Sequence, residues 1–167
     1  MTDVSPAMQA LYDRDRERAE AALPPDEELD VFHAAAFARH QRLRELLAAE
    51  PGAARAWSPD GFTALHLAAF TDSEEAARLL VEAGADLEAR SRHETITGVR
   101  PLNTCAFARA HGVARVLLEA GADPNGEGEP GATPLMAAQA NEDAELEQLL
   151  RKHGAEEGVT PSSATES

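Results

Sequence analysis

Apolar positions along this chain come in paired short runs that return at a nearly constant distance. One run is Ala64-Leu65-His66-Leu67-Ala68-Ala69, entered through Gly61-Phe62-Thr63; Leu79-Leu80 follows, and then Gly84-Ala85-Asp86. The order returns as Gly98-Val99-Arg100-Pro101-Leu102-Asn103-Thr104-Cys105-Ala106, Leu117-Leu118 and Gly121-Ala122-Asp123. It returns again as Gly131-Ala132-Thr133-Pro134-Leu135-Met136-Ala137-Ala138, Leu149-Leu150 and Gly154-Ala155-Glu156. Leu102 and Leu135 lie 33 residues apart, and Leu65 and Leu102 lie 37 apart. A shift of 33 toward the N-terminus takes His66 to His33, inside Asp30-Val31-Phe32-His33-Ala34-Ala35-Ala36, and Leu79-Leu80 to Leu46-Leu47. Residues 30–57 are therefore a fourth, more diverged copy, with Glu50-Pro51-Gly52 in place of Gly-Ala-Asp.

Each copy predicts two helices. In the copy around 61–90, Gly61 permits a turn at positive φ. Thr63 is placed to cap a helix over Ala64–Thr71, as Asp30 and Thr133 are in their own copies. Pro101 and Pro134 fall at the first helical position, where a missing N–H costs nothing. A second helix of about Glu74–Ala83 buries Leu79 and Leu80 and stops before Gly84. Ala68 and Ala69 are small enough to let neighbouring first helices approach. Upstream, Met8, Leu11, Tyr12, Ala19, Ala22 and Leu23 keep helical spacing behind Ser5-Pro6, a cap and first-position pair. That segment resembles a shortened copy closed by Pro24-Pro25. After Gly158 the remainder is polar and is expected to be disordered.

A period of about 33 residues carrying the T-P-L-H-x-A pattern resembles the ankyrin repeat. The resemblance covers about residues 30–157, and the entry over 24–32 is similar to that of small ankyrin proteins from GC-rich bacteria. It implies an all-α ankyrin-repeat solenoid of about four stacked helix-turn-helix repeats with β-hairpin fingers, plus an N-terminal capping helix. The expected division is a cap at 1–29, repeats at 30–57, 58–90, 91–127 and 128–158, and a disordered tail at 159–167. This chain departs from the pattern where Arg100 replaces the capping Thr, Asn103 and Met136 replace the His, and Glu156 replaces the Asp. Those departures are expected to weaken local hydrogen bonds.

Composition narrows the classes of function. Only 4% of residues are aromatic, so Ala and Leu must fill the core, which suits thin helix pairs in a row better than one thick core. The formal net charge of −15 opposes binding to phosphate backbones and anionic lipid surfaces, and favours a basic or apolar protein partner. A single cysteine excludes an intramolecular disulfide and a cysteine zinc site. No run approaches the ~20 apolar residues of a membrane span, and no signal-peptide stretch opens the chain. A cytoplasmic location, a protein partner and a monomeric state are expected, with no cofactor, metal, nucleic acid or membrane.

Candidate residues are assigned through the resemblance, because ankyrin proteins typically bind partners on the concave face. The position after the Ala-Ala pair looks into that groove, and here it holds Phe37, Phe70, Phe107 and Ala140. Such a phenylalanine ladder either forms an exposed binding strip or tucks between neighbouring helices as extra core. Finger positions add Trp57, Phe62, Arg90 and Glu127; Trp57 beside Ser58-Pro59-Asp60-Gly61 either contacts a partner or lies across its own hairpin. The four-residue excess over 90–97 brings Arg92 and His93 into the second finger, where insertions often serve binding. Arg39 and Arg109 occupy the turn position usually held by Gly and project as partner contacts or as ordinary solvated arginines.

Catalytic signals are weak. His33 and His66 belong to the motif, where the ring supports finger backbone, and His40, His93, His111 and His153 show no metal-ligand spacing. Cys105 stands where the motif wants a buried Ala, Ser162-Ser163 have no histidine partner, and pairs such as Glu74-Glu75 and Glu142-Asp143 are expected to be solvated. No enzymatic role is expected. Three functions compete: an adaptor or regulator holding a partner in its groove, a dedicated inhibitor that occludes a basic enzyme, and a structural protein that self-associates through the same strip.

Overall fold

A computed structural model describes residues 4–128 and 131–157; the expected tail at 159–167, with Ser162-Ser163, lies outside them. Ten α-helices occur among the described residues: α1 Pro6–Tyr12, α2 Arg16–Ala21, α3 Val31–Ala36, α4 His40–Ala49, α5 Ala64–Thr71, α6 Glu74–Glu82, α7 Pro101–Ala108, α8 His111–Glu119, α9 Pro134–Ala140 and α10 Ala144–Lys152. Their starts follow from local chemistry. Thr63, Asp30 and Thr133 each accept the N–H of the residue three positions on, which satisfies an otherwise orphaned donor of the first turn. Pro101 and Pro134 open α7 and α9. Asp72 and Arg109, at φ of 51° and 58°, end α5 and α7 by turning into the left-handed region.

First helices α3, α5, α7 and α9 stack in one layer, and second helices α4, α6, α8 and α10 in another. Ala35, Ala68, Ala69 and Ala106 are completely or almost completely buried between them, with Leu43, Leu65, Leu80, Leu102, Leu117 and Leu146 supplying bulk. Small side chains on the first helices are what permit this close stacking. Cys105 sits in the same core, where burial pushes its thiol far above the usual range. No helix among the described residues is long and apolar enough to cross a membrane.

Several expectations are corrected. The single N-terminal capping helix is two short helices, α1 and α2, which repeat the α-turn-α geometry of the other units. Met8 and Ala19 pack with Phe37 and Leu67 in a second, smaller cluster. The described finger residues contain no strand, only the isolated bridges Trp57–Thr63 and Arg92–Thr97. Helix α3 is shorter than α5, so the left-handed residue of that unit is Ala38 and not Arg39. The Glu142-Asp143 pair is not solvated throughout, because Asp143 is buried as the cap of α10.

Asp143 also accepts from His111 Nε2 at 2.8 Å and lies 3.6 Å from Arg109. Burial alone would raise its pKa; the hydrogen bonds from His111 and the Leu146 N–H, with the nearby charges, bring it below the ordinary carboxylate value. Asn103 is likewise no weak substitute for histidine. Its Oδ1 accepts the Arg100 N–H, and its Nδ2 donates to the Gly126 and Ala132 carbonyls at 3.2 and 3.1 Å. His66 makes the corresponding link through Nε2 to the Val99 carbonyl at 2.8 Å. His33 does not reach a finger backbone, since its ring meets Asp30 and Ser5 Oγ.

Candidate partner-binding groove

Fingers and first helices enclose a cleft of about 710 Å³ along one side of the stack. Its floor comes from α5 and α7, through Leu67, Phe70, Asn103, Thr104 and Phe107. Phe62, His93, Ile96 and Val99 form the finger wall, and Val4, Gln9, Tyr12 and Arg14 close the N-terminal end. Thr104 and Phe107 share one face of α7 because helix positions i and i+3 point the same way. A cleft of this size, mostly apolar with a few polar groups, has the dimensions of a ligand site.

The phenylalanine ladder is divided by its neighbours. Phe37 is 3% exposed, beneath α1 and α2, and takes the core alternative. Phe70 is half-buried, with the Tyr12 ring edge-on at 5.9 Å. Phe107 is 69% exposed and lines the cleft. Tyr12 is fixed in turn by donating its hydroxyl to Asp60 Oδ2 at 2.5 Å. Burial first, and then this carboxylate, push its pKa far above the usual range, so the phenol stays protonated and the N-terminal helices stay latched to the first finger.

The second finger owes its shape to Ser91. Ser91 is buried, and its hydroxyl donates to the Ile96 carbonyl while accepting the Val99 N–H. That arrangement folds the inserted residues into a tip and leaves Ile96 49% exposed in the cleft. His93 stacks on Phe62 with ring centres 5.2 Å apart. Arg92 lies over the Trp57 ring at 3.9 Å, a cation–π contact, and its N–H donates to the Gly61 carbonyl of the first finger. Trp57 is half-buried and does not line the cleft.

Arg90 is exposed on the same finger, away from the lining. Arg39 and Arg109 are not groove residues. Arg39 pairs with Glu20 at 2.5 Å and Asp26 at 3.4 Å, fastening α2 and the turn at Asp26–Glu28, and Arg109 pairs with Asp143. Glu127 is exposed on the third finger and outside the lining. Tyr12, Arg14, Ile96, Val99 and Thr104 were not among the sequence candidates. Ile96 carried a signal, being the one large aliphatic residue in the insertion; Tyr12 and Arg14 carried none, because their place depends on how α1 docks.

A family model of three ankyrin repeats matches residues 6–91 and again 32–127. The chain belongs to the ankyrin repeat family. The first match begins at α1, so the N-terminal helix pair of this ankyrin repeat protein falls within the repeat pattern. Ankyrin repeats are generally protein–protein interaction modules and typically non-enzymatic. No curated protein matches this chain. Among the described residues no three His, Cys, Asp or Glu side chains are grouped to hold a metal ion.

Proposed function

We propose that this ankyrin repeat protein is an adaptor or regulator that holds a partner protein in the cleft between its fingers and first helices. The observation that carries the reading is the exposure of Phe107 on the floor and Ile96 on the finger wall of one apolar cleft. Solvated apolar side chains of this size forgo about 1.5–3 kcal/mol each against full burial, and grouping them in a concavity supports a binding role. Cytoplasmic placement belongs to the same proposal and rests on one buried, unpaired cysteine.

The test is affinity capture from a cytoplasmic extract with wild type and with the Phe107→Ala/Ile96→Ala double variant, after circular dichroism has shown the variant folded. A prey protein lost only with the variant supports the groove; equal retention removes it as the binding site. The net charge carries a second reading, a dedicated inhibitor that occludes a basic enzyme. Association would then slow steeply with added salt, whereas docking in an apolar cleft changes little.

A further inference from the structure

No Asp or Glu is among the described lining residues, although acids outnumber bases 30 to 15 in the chain. Elsewhere Arg39, Arg44, Arg78, Arg100, Arg109 and Arg151 each have a carboxylate within 4 Å, while Arg16, Arg55, Arg90 and Arg115 have none among the described residues and lie outside the cleft. Arg14 lines the cleft and has no such partner among the described residues. At the finger wall, His93 Nδ1 accepts the Thr95 N–H at 3.2 Å. That bond places the proton of the neutral ring on Nε2, a donor with no partner among the described residues. Next to it Arg92 rests on Trp57, also without a carboxylate partner among the described residues.

Two electrostatic effects compete. The whole molecule is anionic, but charges more than a Debye length of about 8 Å away are largely screened at physiological ionic strength. Groups at the cleft therefore decide what binds there. Gln9, Asn103 and Thr104 are neutral, Asp60 is taken up by the Tyr12 hydroxyl, and Asp13, Asp15 and Glu94 stand outside the lining. Among the described residues the unpaired donors facing Phe70, Ile96, Val99 and Phe107 are the Arg14 guanidinium and the His93 Nε2–H. Resting on the groove reading above, we infer that the occupant is a peptide segment of a partner protein in which aliphatic or aromatic side chains stand beside one or two carboxylates. The apolar side chains seat against Phe107 and Ile96, and a carboxylate meets Arg14 or the His93 Nε2–H.

Selection of a random twelve-residue phage-displayed peptide library on the immobilised full-length protein tests this. Enriched sequences are expected to combine Leu, Ile, Phe or Trp with neighbouring Asp or Glu, and the acidic bias is expected to vanish on the Arg14→Gln/His93→Phe protein, in which the Phe62 stack is kept. For an enriched peptide, exchanging one carboxylate for its amide should weaken binding about threefold, the scale of a half-exposed charge pair. Enrichment of Lys and Arg, or no charge bias, overturns the inference while loss of enrichment on Phe107→Asp leaves the groove reading standing. No enrichment over the Phe107→Asp protein overturns both. Concentration-dependent dimers of wild type that are absent in Phe107→Asp would also overturn it, by making a second copy the occupant.

Discussion

Phe37 and Phe107 occupy the same step of the repeat, and their energetic roles are opposite. Phe37 is enclosed by the N-terminal helices, whereas Phe107 faces the open cleft. Truncation to alanine is expected to destabilise by about 3–5 kcal/mol at 37, where a cavity is left, and by less than about 0.5 kcal/mol at 107. Urea unfolding of the two variants measures the difference. His66 makes a second prediction at this scale. Burial lowers its pKa from the ordinary 6.5 to about 4, against the opposing effect of its bond to the Val99 carbonyl. The unfolded chain therefore takes up a proton near pH 6.5 and the folded chain only near pH 4. Its contribution to stability is complete above 6.5 and is lost as pH falls toward 4, by roughly 3 kcal/mol in all. His66→Asn, which copies the Asn103 arrangement, should unfold with a pH profile flatter by that amount between 6.5 and 4.

Neighbouring elements are joined by fingers as well as by helices. The first and second fingers touch where Arg92 N–H meets Gly61 O, and a Cβ on residue 61 would stand 2.5 Å from the Arg92 carbonyl carbon. Gly61 also has a φ of +86°, so the position excludes side chains on both counts. Gly61→Ala should cost at least about 3 kcal/mol and loosen the finger wall of the cleft. Gly121→Ala, at a φ of +98° with no atom within 4 Å of the added carbon, should cost only about 1–2 kcal/mol. Thermal unfolding of both variants separates steric contact from backbone strain. The helices themselves were legible in advance: α5 spans the predicted Ala64–Thr71, and α6 ends within a residue of expectation. Caps, prolines and apolar spacing act over three or four residues, so the sequence carries them directly. The finger conformation was not legible, because Ser91 closes it through partners five and eight positions away.

At the scale of the whole molecule, 30 acidic against 15 basic residues are wrapped around thin layers of helices, and the excess repels itself. Isolated surface pairs such as Arg44–Glu75 contribute about 0–1 kcal/mol each and are themselves screened. Self-repulsion is the larger effect, so raising sodium chloride from about 20 to about 500 mM should raise the urea midpoint. A lower midpoint at high salt would show that ion pairs dominate instead. The groove belongs to this scale too, because α1, α5, α7, α9 and three fingers must all be placed before it exists.

The sequence by itself determined the repeat, the helix pairs, their caps and the buried Ala–Leu layers, since each depends on near neighbours or on a step of 33 residues, widened once to 37. Tertiary structure decided which equivalent positions face water. Phe37 is covered because the N-terminal segment forms two helices that pack on it, and Tyr12 and Arg14 reach the cleft by the same docking. Arg39 and Arg109 became ion-pair partners because Glu20, Asp26 and Asp143 lie beside them only after stacking. A local pattern repeats the same position in every unit, but exposure depends on which neighbour stands next in the stack.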